Sequence, residues 1–334
     1  MNESTKKVIL LTTGGTIASI KNLETGYIQS GVVTGDDLAK LIPGEKNLAF
    51  ELHELFQLPS GHLTFTHLKE LAETVAGLLE DKAAAGMVIT HGTDTLEETA
   101  YFLDLVVDKG KPVVLTGSQK PPGAMASDAL SNLTDAMQVA LCEESSVKGV
   151  LVVFNGKIFA ASEVIKVHTS NPDAFVSPGW GPLGYLDEDQ VIYRRHPKKT
   201  SKLSLGVFEK KVYLIKFALG MDGGLVKMAL DAGADGLVLE GFGRGQIPPD
   251  AVKPVAEAVS RGIPVVLTTR CLEGAVKGVY DYHGSGHHLE KLGVILAGDL
   301  PALKARMKLM VLLSSGMSFD SIKELFSGSL LCGS

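Results

Sequence analysis

Val8-Ile9-Leu10-Leu11-Thr12-Thr13-Gly14-Gly15-Thr16-Ile17-Ala18-Ser19 is the stretch whose reading decides the fold. A strand-length apolar run breaks into two glycines and a threonine. The same grammar returns where Met87-Val88-Ile89 runs into His91-Gly92-Thr93-Asp94-Thr95. Each stretch sets a threonine just past the carboxyl end of a predicted strand, which is where open α/β sheets bind ligands. A threonine hydroxyl is a nucleophile only when another group activates it, so the rest of the chain has to supply that group.

Outward from these two turns, apolar runs alternate with helical patterns. Strands are predicted at Val8–Thr12, Met87–Thr90, Val113–Thr116, Val150–Phe154, Val212–Phe217, Leu237–Glu240, Val265–Thr268 and Val294–Ala297. Helices are predicted at Asp36–Ile42, Leu68–Ala84, Thr95–Val107, Asp128–Cys142, Leu225–Ala232, Ala251–Ser260, Leu303–Ser314 and Ser318–Phe326. This alternation predicts an α/β protein of mostly parallel sheets with flanking helices. Thr95-Leu96-Glu97-Glu98 reads as a capping box, with Thr95 as cap and Glu98 three residues on. That reading leaves the Thr93 hydroxyl and the Asp94 carboxylate free in the turn ahead of the helix.

A chain of 334 residues exceeds what one core usually supports, so two domains are expected. The polar, basic, proline-containing stretch Arg194–Ser204 is the best linker candidate. We therefore expect a larger N-terminal domain over 1–193, a linker over 194–211 and a smaller C-terminal α/β domain over 212–334. A hydrophobic content of 45%, a charged content of 21% and a net charge of −6 describe an ordinary globular enzyme. They argue against a nucleic-acid partner, which would call for a basic face. Cys142, Cys271 and Cys332 are odd in number and widely spaced, which predicts reduced thiols. The start Met1–Lys7 lacks the apolar core of a signal peptide, and no run approaches the ~20 apolar residues of a membrane span. The expected location is the cytoplasm, with no membrane partner.

Several residues could carry chemistry, and each has an ordinary alternative. Around Thr16, Gly-Gly-Thr taken alone is a turn feeding a helix. It matches neither the dinucleotide fingerprint nor a Walker phosphate loop. Thr93 and Asp94 are residue types favoured at helix caps, but they stand beside backbone N–H groups able to hold an oxyanion. Lys166, in Glu163-Val164-Ile165-Lys166-Val167-His168, reads as a surface lysine unless a half-buried site uses its charge or its amine. Tyr27 sits in a turn-rich segment, and Ser60 in the loop Leu58-Pro59-Ser60-Gly61-His62 that follows an alternating, strand-like run. The nine histidines match no zinc pattern, and no metal or organic cofactor is expected.

Together these segments resemble the bacterial-type L-asparaginases over nearly the whole chain. The resemblance rests on Thr13–Ala18 (Thr-Gly-Gly-Thr-Ile-Ala), His91–Thr99 and Leu115–Gln119 (Leu-Thr-Gly-Ser-Gln). Asp128-x-x-x-Asn132-Leu133 and Gly181-Pro182-Leu183-Gly184-Tyr185 complete it. It is closer to the cytoplasmic group than to the secreted one. The resemblance implies hydrolysis of L-asparagine to aspartate and ammonia through a threonine acyl-enzyme, without a cofactor. It implies Thr16 as the primary nucleophile assisted by Tyr27, and Thr93, Asp94 and Lys166 as a second catalytic set, and it leaves two answers to which threonine attacks first. Ser60, Gly61, Gly15, Gly92 and Asp94 would line the substrate, in a homodimer or homotetramer. Three positions depart from the usual family pattern: Gly61 replaces a polar residue, Arg244 stands where asparagine is frequent, and Ala129 replaces a glycine. The alternatives are a glutaminase-asparaginase of mixed specificity, the amidase subunit of a tRNA-dependent amidotransferase, and a non-catalytic amino-acid sensor. For the amidotransferase subunit, Thr16 stands too near Met1 to leave room for the expected extra domain.

Overall fold

The computed structural model describes residues 6–327, apart from 23, 30–31 and 42–48. The chain divides into two compact units, Met1–Lys202 and Leu203–Ser334. Each side of the division is tied to its own unit. The Lys202 ammonium donates to the Asp104 carbonyl at 2.6 Å, and the Ser315 hydroxyl donates to the Ser204 carbonyl at 2.6 Å.

In the first unit the strands are β1 (Lys7–Gly14), the hairpin β2 (Ile20–Lys21) and β3 (Ile28–Gln29), β4 (Phe50–Leu58), β5 (Ala84–Thr90) and β6 (Val113–Thr116). They continue with β7 (Val150–Phe154), β8 (Lys157–Ala160), β9 (Ile165–Lys166), β10 (Phe175–Val176), β11 (Gly184–Asp187) and β12 (Gln190–Tyr193). The helices are α1 (Gly35–Leu41), α2 (Phe65–Leu78), α3 (Leu96–Val106) and α4 (Ala129–Leu141). Among the described residues, eight strands form one sheet in the order β12-β11-β8-β7-β6-β5-β1-β4. The run β4-β1-β5-β6-β7 is parallel, and β8, β11 and β12 add an antiparallel edge.

The parallel strands read as unbroken apolar runs because both faces are buried. Val8, Leu10, Val88, Val114, Leu151 and Val153 form one face, against Leu133, Ala136, Met137 and Ala140 of α4. The alternate residues Ile9, Leu11, Met87, Ile89, Leu115 and Val152 are equally buried, as the two-residue period of a strand requires.

The second unit holds β13 (Val212–Lys216), β14 (Gly236–Gly241), β15 (Val265–Thr269) and β16 (Ile295–Leu296) in one parallel sheet in chain order. Its helices are α5 (Gly224–Asp231), α6 (Val252–Ser260), α7 (Gly286–Lys291), α8 (Ala302–Ser314) and α9 (Phe319–Ser327). No described helix is long and apolar enough to cross a membrane.

The structure corrects several element boundaries. The helix expected over Leu68–Ala84 starts at Phe65 and ends at Leu78, and Ala84 already belongs to β5. Thr64 and His67 cap its start reciprocally, so an N-terminal cap set where the helix begins. The strand-like run before Ser60 is β4, the edge of the sheet. The short strands β8 to β12 and helix α7 carry too few residues for a clear period. Ile42, the last residue of the first predicted helix, lies outside the described residues.

Candidate active site

The strand order locates the site before any side chain is considered. The chain leaves β1 for β4 on one side and returns for β5 on the other. The carboxyl ends of β1 and β5 therefore flank a topological switch point, where open α/β sheets form their ligand crevice. Gly15-Thr16 follows β1, and His91-Gly92-Thr93-Asp94 follows β5.

Two glycines let these turns meet. Gly15 has φ +86°, and a Cβ on it would fall 2.4 Å from both Cα and N of Gly92. A Cβ on Gly92 would fall 2.7 Å from Ser60 Oγ. The backbones after β1 and β5 and the loop after β4 are thus packed against one another with no room for a side chain. A fourth segment closes in behind them: at Gly117, after β6, an added Cβ would sit 2.4 Å from the His91 carbonyl and 3.5 Å from Thr93 Cγ2.

Lys166 joins this cluster from the two-residue strand β9. Its ammonium donates to Thr93 Oγ1 at 2.9 Å and to Asp94 Oδ1 at 2.8 Å. Thr93 is buried. The Lys166 side chain is 15% exposed, whereas that of Asp94 is 78% exposed. One oxygen of Asp94 is thus committed to the lysine, while most of the carboxylate remains open to solvent.

Thr95 does not form the expected capping box. Its side chain caps nothing on α3; its hydroxyl donates instead to the Ser60 carbonyl at 3.0 Å. A backbone tie between the two loops outcompetes the local cap. Thr93 and Asp94 consequently are not free side chains in a turn, because both are engaged by Lys166. The Ser60 hydroxyl is buried and has no partner among the described residues.

Thr16 opens a 3-10 turn, Thr16–Ala18, and is half-buried. The carbonyl of Gly15 accepts the Ala18 N–H at 3.0 Å and the Ser19 hydroxyl at 2.7 Å, which fixes the turn. Tyr27 lies on the β2–β3 hairpin and is 78% exposed. Among the described residues no hydrogen bond joins it to Thr16. Gly61 is exposed, and the space where its Cβ would stand is open.

Sequence reasoning assigned no role to four supporting residues. His91 is fully buried, and burial pushes its imidazole down to about 4 even though the Gly92 carbonyl favours the charged form. Its Nδ1 lies 2.7 Å from that carbonyl, so the neutral ring donates there. Asp128 serves the loop after β6 instead of capping α4: its carboxylate accepts the N–H groups of Gln119 and Lys120 at 2.9 Å each. Asn132 adds a bond to the Gly117 carbonyl at 3.0 Å. Glu97 accepts the backbone N–H of Lys166 at 3.2 Å. The signal for Asp128 and Asn132 was their spacing of four residues on one helix; nothing local marked Glu97 over Glu98.

Two threonine turns at a switch point, one of them held by a half-buried lysine and its carboxylate partner, bring hydroxyl, ammonium and carboxylate groups together where open α/β sheets bind ligands. A family model for the asparaginase N-terminal domain matches residues 7–199, and one for the glutaminase/asparaginase C-terminal domain matches 211–326. The chain belongs to the asparaginase family. It is 44% identical to an L-asparaginase of Bacillus licheniformis over 96% of this chain and 99% of that one. It is 40% identical to a probable L-asparaginase of Deinococcus radiodurans over 98% of this chain and 99% of the relative. The crystal structure of a probable cytoplasmic L-asparaginase from Campylobacter jejuni superposes with a TM-score of 0.85 at 33% identity. That match covers 96% of this chain and 99% of the other.

Proposed function

We propose that this protein is an L-asparagine amidohydrolase that splits the side-chain amide into L-aspartate and ammonia. The observation that carries the reading is the Lys166–Thr93–Asp94 contact, set against the Gly15–Gly92 close approach at the switch point. Family membership supports it, as do the names of the relatives.

In this reading the Thr16 oxygen attacks the amide carbon, and its proton leaves with the departing ammonia. Tyr27 assists deprotonation once the β2–β3 hairpin closes on bound substrate. A primary amide is a poor electrophile, so dividing hydrolysis into ester formation and ester cleavage lowers each barrier. Lys166 donates to Thr93 Oγ1, which stabilises negative charge on that oxygen and lets Thr93 orient the water that cleaves the ester. Backbone N–H groups of the turns around Thr16 and Thr93 hold the oxyanion, an effect typically worth about 3–4 kcal/mol per donor.

The substrate's α-charges fit the remaining groups. Ser60 Oγ is buried with no partner among the described residues, and a substrate carboxylate would accept its hydrogen bond. The exposed part of the Asp94 carboxylate suits an α-ammonium. Gly61 lies alongside Ser60. These fixed charges let binding energy position the distant amide. The same reading makes the chain a cytoplasmic homodimer or homotetramer, with residues 194–211 as the linker between its domains.

Ammonia release from L-asparagine and L-glutamine, measured side by side with Thr16→Ala as control, tests the proposal. Release from asparagine that the variant abolishes is the expected result. Comparable release from both amides would make the protein a glutaminase-asparaginase. Asparagine binding without release would make it a sensor.

A further inference from the structure

We infer that Glu97 is the positioning residue for Lys166, an inference that rests on the part assigned to Lys166 above. The argument starts from how little holds β9. It is two residues long and, among the described residues, pairs only with β10, with Lys166 opposite Phe175 and Ile165 opposite Val176. The adjacent N–H of Val167 donates to the Ala174 carbonyl at 2.8 Å, which makes Val167–Ala174 a hydrogen-bonded pair. Antiparallel ladders alternate bonded and non-bonded pairs, so Lys166–Phe175 is a non-bonded one. The N–H of Lys166 therefore turns away from β10, and Glu97 Oε1 receives it at 3.2 Å.

Glu97 is buried at 6% exposure in the first turn of α3, four residues after Thr93 and three after Asp94. The same turn of chain thus grips the lysine at both ends. Thr93 and Asp94 take its ammonium, and Glu97 takes its backbone. A lysine side chain has many rotamers, so the position of its Cα sets whether Nζ reaches two acceptors at once. Glu97 fixes that position relative to Thr93 instead of relative to the rest of the sheet.

Steady-state kinetics with L-asparagine on Lys166→Met, Glu97→Ala, Glu97→Gln and the double variant Glu97→Ala/Lys166→Met test this. Glu97→Ala is expected to lower kcat about 10- to 100-fold, the scale of an ångström misplacement, with KM within about threefold of the parent. Glu97→Gln keeps an acceptor oxygen and is expected to restore most of kcat with an unchanged pH profile. The double variant is expected to be no slower than Lys166→Met alone, because a positioning residue has nothing left to position.

Parental kcat in Glu97→Ala overturns the inference. So does a Glu97→Gln variant that melts like the parent yet is as slow as Glu97→Ala, or a further loss in the double variant. A Lys166→Met variant of parental kcat is a different failure: it removes the assignment of Lys166 itself, and this inference with it.

Discussion

The turns after β1 and β5 look alike in sequence and differ in what surrounds them. Each ends a buried parallel strand, passes through glycine and presents a threonine. Thr93 is buried and accepts a hydrogen bond from Lys166, whereas Thr16 is half-buried and opens a short turn ahead of an exposed hairpin. One threonine is held in a finished environment and the other is presented at an open edge. In the proposed reaction the buried turn would be the preorganised half of the site and the exposed one the half that substrate completes.

The largest expected effect falls on both threonines. Thr16→Ala and Thr93→Ala should each lower kcat by at least about a thousandfold with little change in melting temperature. Retained activity in either variant would break the pairing of the two turns. Mass spectrometry of acid-quenched enzyme sharpens it, since the ester is expected on Thr16.

Next comes the packing that joins the turns. Gly15→Ala places a methyl 2.4 Å from the Gly92 backbone at a positive φ. It should cost about 2–4 kcal/mol of stability and most of the activity. Thermal unfolding that matched the parent would show that the turns are not clamped together.

His91 marks the buried half by its pH response. The unfolded imidazole titrates near 6.5 and the folded one near 4. Between those values the unfolded chain binds the additional proton, so stability falls as pH drops from about 6.5 to about 4 and this contribution is intact above that window. The full effect is on the order of 3 kcal/mol. Chemical denaturation across this range should show a steeper pH slope for the parent than for His91→Gln; equal slopes would contradict the burial argument.

The smallest effect is expected at the open edge. Gly61→Gln adds a side chain into open space and should leave stability within about 0.5 kcal/mol. Beside Ser60, it should still change the ratio of kcat/KM for asparagine over glutamine. An unchanged ratio would separate Gly61 from the substrate.

Much of this was legible beforehand. The apolar runs of β1, β5, β6 and β7 are continuous because both faces of the sheet are covered, so their period and length gave them away. The threonine turns followed from them, as the residues just past two of the predicted strand ends. Thr95 shows where local reading failed. Its sequence fits a cap, but the Ser60 carbonyl, far away in the chain, offered its hydroxyl a better partner.

What the sequence determined by itself was the fold class and the two threonine-bearing strand ends to which the proposal assigns chemistry, because periodicity and turn residues act over a few neighbouring positions. The tertiary structure alone decided the contacts themselves: Lys166 Nζ against Thr93 and Asp94, the Glu97 carboxylate on the Lys166 N–H, and Ser60 against Gly92. Those contacts depend on strand order and on the placement of a two-residue strand, and both are set by packing between segments that sequence spacing does not relate.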